Sequence, residues 1–189
     1  MFQSAFSLDF GSIAAPDAIA PSGLTDTAHP LQLPSYTSAS VREIAFIDGG
    51  LSDAQTLING VKPGTAVYVL NPAGDEISQM TQVLAGYHNL SAVSIFSHGS
   101  DGALQLGKTS LNPGDLIDYA GILQSWASSF SKDGDLLLYG CDVAEDAVGQ
   151  NFVRQIAALT GADVAASTGR WQTSASLTPT IPLQTRCKR

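Results

Sequence analysis

Short apolar runs, separated by stretches with helical periodicity, are the feature of this sequence that most constrains its fold. The runs are apolar at consecutive rather than alternate positions, a pattern typical of strands that are buried on both faces. Helices must then cover a mostly parallel sheet on both sides. The pattern predicts a three-layer, doubly wound α/β domain of about five strands and four helices. The predicted strands are residues 44–47, 67–70, 93–96, 136–139 and 164–166.

Four amphipathic stretches between these strands predict the helices. A capping-box pattern at 52–55 starts the first helix, and the Asn-Pro pair at 112–113 starts the third. Acidic residues at 145–146 complement the N-terminal dipole of the fourth helix, and Gly161 ends it. The predicted apolar faces are Ala54, Leu57, Ile58 and Val61; Ile77, Met80, Leu84 and Tyr87; Leu116, Ala120, Leu123, Trp126 or Ala127, and Phe130; and Val148, Phe152, Ile156 and Leu159.

Composition shifts divide the chain into three parts. Residues 1–40 are rich in Ala, Ser, Thr and Pro, which predicts a flexible leader. Residues 41–168 form the α/β domain, and residues 169–189 are expected to be irregular and to leave the fifth strand as an unprotected edge. Within the domain, residues 102–111 alternate apolar and polar side chains around a Gly-Lys pair, which predicts a small exposed hairpin after the third strand.

The charge balance argues against several classes of partner. The chain carries a formal net charge of −8, and three of its nine basic residues lie in the last four positions. An acidic body is repelled by phosphate backbones, so we expect no nucleic-acid partner. No apolar run approaches the roughly 20 residues of a membrane span, so we expect no membrane insertion. The charged start of a secretory signal is missing, although a signal elsewhere in a longer parent protein would permit export.

Two predicted strands are followed by a nucleophile and a proton carrier. His98 comes after the third strand and Cys141 after the fourth. In open α/β sheets the functional crevice lies at the carboxyl ends of the strands, so the two side chains share an edge if these strands are neighbours. Gly99 and Gly140 would let a substrate carbonyl approach backbone N–H groups. Taken singly, Cys141 also suits a buried space-filling residue, and His98 a hydrogen-bonded structural histidine.

An apolar run ending in His98-Gly99, followed by an apolar run ending in Gly140-Cys141, resembles the caspase, gingipain and separase group of cysteine peptidases. The resemblance implies a His-Cys dyad on a doubly wound sheet, with a small hairpin after the histidine strand. Cys141 would attack the substrate carbonyl and His98 would protonate the leaving amine. The N–H groups of Gly99 and Cys141 would hold the oxyanion.

A closer resemblance, over roughly residues 42–168, is to an uncharacterised domain near the N-terminus of very large bacterial surface proteins with adhesive repeats. The matching segments are residues 43–48, 97–99, 104–107, 137–141, 143–144 and 159–167. This resemblance implies an extracellular or cell-surface location and a peptide or protein substrate, possibly the parent chain itself. The expected function is a cysteine endopeptidase or self-processing domain. The alternative is a noncatalytic interaction or sorting module of an adhesin-type protein, because a fold does not guarantee a function.

Three acidic residues near the predicted crevice allow two interpretations. Asp48, Asp101 and Asp142 could line a pocket for a basic substrate side chain, or they could be turn and cap residues beside glycines. A metal site built from His98, Asp101 and Asp48 would be a weak zinc pattern. No cofactor is expected, since no Gly-rich nucleotide fingerprint follows the first strand. Two cysteines, Cys141 and Cys187, do not indicate a disulfide framework, and the oligomeric state is left open.

Overall fold

The computed structural model describes residues 41–169 and the backbone of residues 185–187. The predicted leader at 1–40 lies outside the described residues, as does most of the predicted tail. Within the described part no helix is long and apolar enough to cross a membrane.

Nine strands form two sheets within the described residues. In chain order they are β1 (Glu43–Asp48), β2 (Ala66–Leu70), β3 (Leu90–Phe96), β4 (His98–Ser100), β5 (Ala103–Leu106), β6 (Thr109–Leu111), β7 (Phe130–Tyr139), β8 (Asp163–Ala166) and β9 (Thr185–Cys187). The larger sheet has the order β2-β1-β3-β7-β8-β9, and its first five strands are parallel. The predicted doubly wound α/β fold is therefore confirmed.

In residues 41–169, four α-helices connect the strands: α1 (Ala54–Gly60), α2 (Glu76–Leu84), α3 (Leu116–Ser125) and α4 (Ala147–Thr160). Alternate residues of β1 face opposite layers. Ile44 and Phe46 belong to the main core that α2, α3 and α4 cover, whereas Ile47 packs with Leu57 of α1 in a separate cluster. Burial on both faces explains why the strands are apolar at consecutive positions.

Two predicted helix starts are wrong. The capping box at 52–55 is not formed, because α1 begins at Ala54 and the side chain of the preceding Asp53 makes no capping hydrogen bond. Asn112 precedes a turn instead of capping a helix: its side chain accepts the Gly114 amide at 2.8 Å, and α3 begins only at Leu116. In both places the residues before the helix form a local turn, so the helix begins later in the sequence than predicted.

Two predicted helix faces also need correction. Phe130 is the first residue of β7, because the chain leaves α3 through a 3₁₀ turn at Trp126–Ser129 and then pairs with Leu90. Trp126, and not Ala127, is the buried member of the α3 face. Val148 is 55% exposed in the first turn of α4, whose buried face is formed by Phe152, Val153, Ile156 and Ala157.

The predicted hairpin after the third strand is confirmed and forms part of the smaller sheet. Its two strands are β5 and β6, and His98–Ser100 adds a third strand in antiparallel register with β5. His98 therefore begins this sheet immediately after β3. At the other edge of the main sheet, β9 pairs antiparallel with β8, so the expectation of an unprotected fifth strand and a wholly irregular tail was wrong.

Candidate functional site

The order of the sheet brings His98 and Cys141 to one edge. Strands β3 and β7 are neighbours, with Phe96 opposite Tyr139 and their rings stacked at 4.5 Å between centroids. The Ser97 amide still donates to the Tyr139 carbonyl at 3.2 Å, beyond the end of β3. His98 and Cys141 each lie two residues past the stacked pair. The predicted proton carrier and nucleophile thus follow two adjacent strands at equivalent positions along the edge of the sheet.

Two glycines hold these chain segments in backbone contact. A Cβ atom built on Gly99 would lie 3.0 Å from the Gly140 Cα and 3.0 Å from the Cys141 carbonyl oxygen. A Cβ atom on Gly140 would lie 3.2 Å from the Gly99 Cα, and Val143 blocks both positions at 2.8 Å. Any side chain at 99 or 140 would force the segments apart. The glycine pair accordingly sets the separation of the residues beside it.

Both candidate side chains are accessible. His98 is exposed, and its ring has no hydrogen-bond partner among the residues that the structure describes. Cys141 is a half-buried free thiol. Its N–H group finds no acceptor within the described part of the chain. Gly99, the other predicted oxyanion donor, lies in β4 opposite Leu104, and its role remains a prediction.

The turn that carries Cys141 is fastened to the segment after β8. The Ser167 hydroxyl, on a residue that is 1% exposed, donates to the Gly140 carbonyl. The Ala144 amide donates to the Ser167 carbonyl at 2.9 Å, and the Asp142 amide donates to the Gly169 carbonyl at 3.4 Å. Sequence reasoning placed Ser167 at a strand end but gave it no role, because the partner of a single serine hydroxyl cannot be inferred from sequence.

Asp142 stands next to Cys141 in a left-handed backbone conformation, with φ of 57°. Aspartate tolerates this region better than most residues, and such conformations concentrate at functional sites. Its half-buried carboxylate has no hydrogen-bond partner among the described residues. Of the three acidic pocket candidates, it is the one whose carboxylate is left without a protein partner.

Asp101 binds the start of α4. One oxygen of its carboxylate accepts the Asp146 amide at 3.0 Å and the Gly149 amide at 3.1 Å. The Asp101 side chain, together with the Val148 amide that donates to Asp146, lowers the pKa of Asp146. Gly149 must lack a side chain, since a Cβ atom there would lie 2.3 Å from the Asp101 carboxylate. Asp101 therefore caps a helix, and a role in the substrate pocket stays a prediction.

Asp48 is paired with a carboxyl group that the sequence analysis did not single out. Asp48 is 2% exposed, and its oxygens accept the Gly50 amide at 2.7 Å and the Gly107 amide at 3.5 Å. Glu76, at the start of α2, is fully buried, and burial together with the nearby Asp48 raises its pKa to about 8. Glu76 is therefore protonated at neutral pH, and its two carboxyl oxygens are buried without a hydrogen-bond partner among the described residues. From sequence, a glutamate at the first helical position indicates only a favourable interaction with the helix dipole.

The predicted acidic pocket is thus spread over three different environments. Asp48 is buried against Glu76, Asp101 caps α4, and Asp142 borders Cys141. In the described part of the chain, no three His, Cys, Asp or Glu side chains cluster closely enough to hold a metal ion.

Comparison with known proteins places the chain in a family. A family model described as "Domain of unknown function (DUF4347)" matches residues 44–175, which is more than half of the chain. The match extends from the second residue of β1 past the end of β8 and includes His98 and Cys141. No curated protein matches the sequence. The chain belongs to the family of domains of unknown function DUF4347.

Proposed function

We propose that this chain is a caspase-like cysteine endopeptidase, or a self-processing domain, of a bacterial surface protein. The observation that carries the proposal is the backbone contact of Gly99 with Gly140, which puts an exposed imidazole and a free thiol at the ends of two adjacent parallel strands. A nucleophile within reach of a base is the first geometric requirement for covalent catalysis. The surface location follows from the resemblance to domains of large surface proteins.

The chemistry would proceed in two steps. In the first, His98 takes the thiol proton of Cys141 and the sulfur attacks the peptide carbonyl, giving a tetrahedral oxyanion. The unpaired Cys141 N–H, together with that of Gly99, stabilises the negative oxygen. His98 then gives its proton to the leaving amine, and a thioester remains on Cys141. In the second step water, deprotonated by His98, hydrolyses the thioester and restores the thiol.

The substrate would be a peptide or protein with a basic residue before the cleaved bond, possibly the parent chain itself. Asp142 beside Cys141 offers an unpaired carboxylate, and Asp48 and Asp101 add negative charge at the same edge of the sheet. A desolvated carboxylate binds Arg or Lys and repels acidic side chains. Among the described residues, no Lys or Arg directly follows a parallel strand of the main sheet: Lys108 lies on the turn of the small sheet, and Arg170 lies outside the described residues.

A noncatalytic interaction or sorting module is the second candidate. One observation favours it: no hydrogen bond joins the His98 ring to the Cys141 thiol in the part of the chain that the structure describes. A catalytic dyad is compatible with the same observation, because catalytic contacts are often long before substrate binds.

Labelling with a thiol-directed activity probe, such as a peptidyl acyloxymethyl ketone, tests the proposal. We expect the probe to label Cys141, located by peptide mapping because the chain also contains Cys187, and His98→Ala to slow this labelling at least about tenfold. His88→Ala is the matched control, since His88 is exposed and its ring contacts the Ser128 carbonyl at 3.3 Å. It should leave the rate unchanged. A native thiol that the probe does not label, or a rate independent of His98, would support the noncatalytic module.

A further inference from the structure

We propose that Ser167 is a positioning residue that holds the Gly140–Cys141 peptide with its N–H group directed at the oxyanion. The inference rests on the proposed peptidase function and adds a third strand, β8, to the site. Ser167 follows β8 directly and is 1% exposed, and its hydroxyl donates to the Gly140 carbonyl.

The geometry of the peptide unit makes this contact informative. The Gly140 carbonyl and the Cys141 N–H belong to one planar trans amide, so they point in opposite directions. A hydrogen bond that fixes the carbonyl therefore fixes the direction of the N–H. It also polarises the amide, which makes its N–H a stronger donor. Because Gly140 has no side chain and tolerates many conformations, the peptide would otherwise be free to rotate.

Two backbone N–H groups that follow the Gly140–Cys141 peptide have acceptors, whereas the N–H group of this peptide has none among the described residues. Past Cys141, the Asp142 amide donates to the Gly169 carbonyl and the Ala144 amide to the Ser167 carbonyl, so the segment 167–169 fastens the turn at three points. The Cys141 N–H, between these bonds, has no acceptor among the described residues. A preorganised donor without a protein partner is what stabilisation of an oxyanion requires.

A purely structural role for Ser167 would have different consequences. Ser129 provides the comparison: it is also 1% exposed, and its hydroxyl donates to the Leu84 carbonyl at 2.8 Å. The chemistry is the same, but this bond lies away from Cys141, in the 3₁₀ turn before β7. Loss of either hydroxyl leaves one buried carbonyl without that donor. Only loss of the Ser167 hydroxyl should affect an adduct that carries an oxyanion.

Two thiol reagents separate the alternatives. A peptide aldehyde with arginine at its aldehyde end adds to a cysteine as a tetrahedral adduct that needs the oxyanion donors, whereas alkylation by iodoacetamide does not. We expect Ser167→Ala to weaken inhibition by the aldehyde about tenfold or more, since removal of a whole oxyanion donor costs roughly 100-fold. The rate of Cys141 alkylation should stay within about twofold of wild type. Ser129→Ala should change neither value, and Ser167→Thr, which keeps the hydroxyl, should restore aldehyde binding.

The outcomes distinguish this inference from the proposed function. The wild type could react with both reagents while the aldehyde inhibits Ser167→Ala as strongly as it inhibits the wild type. That result refutes the role of Ser167, and the peptidase proposal stands. If Ser167→Ala loses both reactions to the same extent, the residue is structural and the inference fails. If the wild type neither binds the aldehyde nor is labelled by the probe, the proposed function fails, and the role of Ser167 fails with it. Should Ser167→Ala not fold, Ser167→Cys, nearly the same size but a weaker donor, gives the same comparison.

Discussion

Replacing Glu76 by glutamine should abolish a loss of stability that the wild-type domain shows between about pH 6 and about pH 9. Glu76 is fully buried against Asp48, and its pKa is raised from 4.5 to about 8 in the folded protein. A group whose folded pKa lies above its unfolded value stabilises the fold below the unfolded pKa. That contribution is lost as the pH rises from 4.5 through 8.

The size of the effect follows from the two pKa values. One pKa unit corresponds to about 1.4 kcal/mol, so the full loss approaches about 4 to 5 kcal/mol above pH 9. Between about pH 6 and about pH 9 the free energy of unfolding should fall by about 2.5 kcal/mol. With a urea dependence of about 2 kcal/mol per molar, the unfolding midpoint should drop by about 1 M. Glutamine has nearly the shape of a protonated glutamate but cannot ionise, so Glu76→Gln should show little of this drop.

Urea unfolding under reducing conditions at a series of pH values measures the effect. Tryptophan fluorescence reports unfolding, because Trp126, one of the two tryptophans of the chain, is buried. The difference between wild type and Glu76→Gln cancels the titration of all other groups. Glu145→Gln is the matched control, because Glu145 is exposed, and it should behave as wild type. Equal pH dependence in wild type and Glu76→Gln would refute the assignment of a buried, protonated Glu76.

Three substitutions test other parts of the structure. Asp101→Ala should lower the free energy of unfolding by about 2 kcal/mol, because two amides at the start of α4 lose their acceptor. The exposed Asp133→Ala should cost less than about 0.5 kcal/mol in the same urea assay, and equal effects would contradict the capping role. Gly99→Ala should destabilise the domain by about 1 to 3 kcal/mol, because the new methyl would overlap Val143 and the Gly140 backbone. Cys141→Ala should change the urea midpoint little while removing any proteolysis, and loss of the circular dichroism spectrum would instead show that the thiol is structural.

The layered architecture could be predicted because each parallel strand is a short run of consecutive apolar residues in the sequence. Residues 44–47 are apolar on both faces, and both faces of β1 are covered. The position of His98 and Cys141 at one edge of the sheet was predictable for the same reason, since consecutive βαβ units place their strand ends on one edge. The strand β4 was not predictable, because His98–Ser100 has no apolar period and depends on pairing with β5.

The contacts that refine the site depend on distant partners. Asp101 looks like a turn residue in sequence, and its actual role requires amides 45 and 48 positions away. Glu76 shows the sequence pattern of an ordinary helix start, and its burial appears only when the start of α2 lies beside Asp48 in the folded domain. The Ser167 hydroxyl meets a carbonyl 27 positions earlier. Local patterns carry no information about such pairs, because the sheet order that creates them is set by the whole domain.

Cleavage of a peptide library by the recombinant chain tests the central claim most directly. We predict hydrolysis after Arg or Lys that is lost in both Cys141→Ala and His98→Ala, with the basic preference weakened by Asp142→Asn. Enrichment of Asp or Glu before the cleaved bond would contradict the acidic pocket while leaving the dyad in place. Activity that survives both dyad substitutions, or a folded wild type that cleaves no peptide and whose Cys141 no thiol probe labels, would contradict the assignment of this site as a cysteine peptidase.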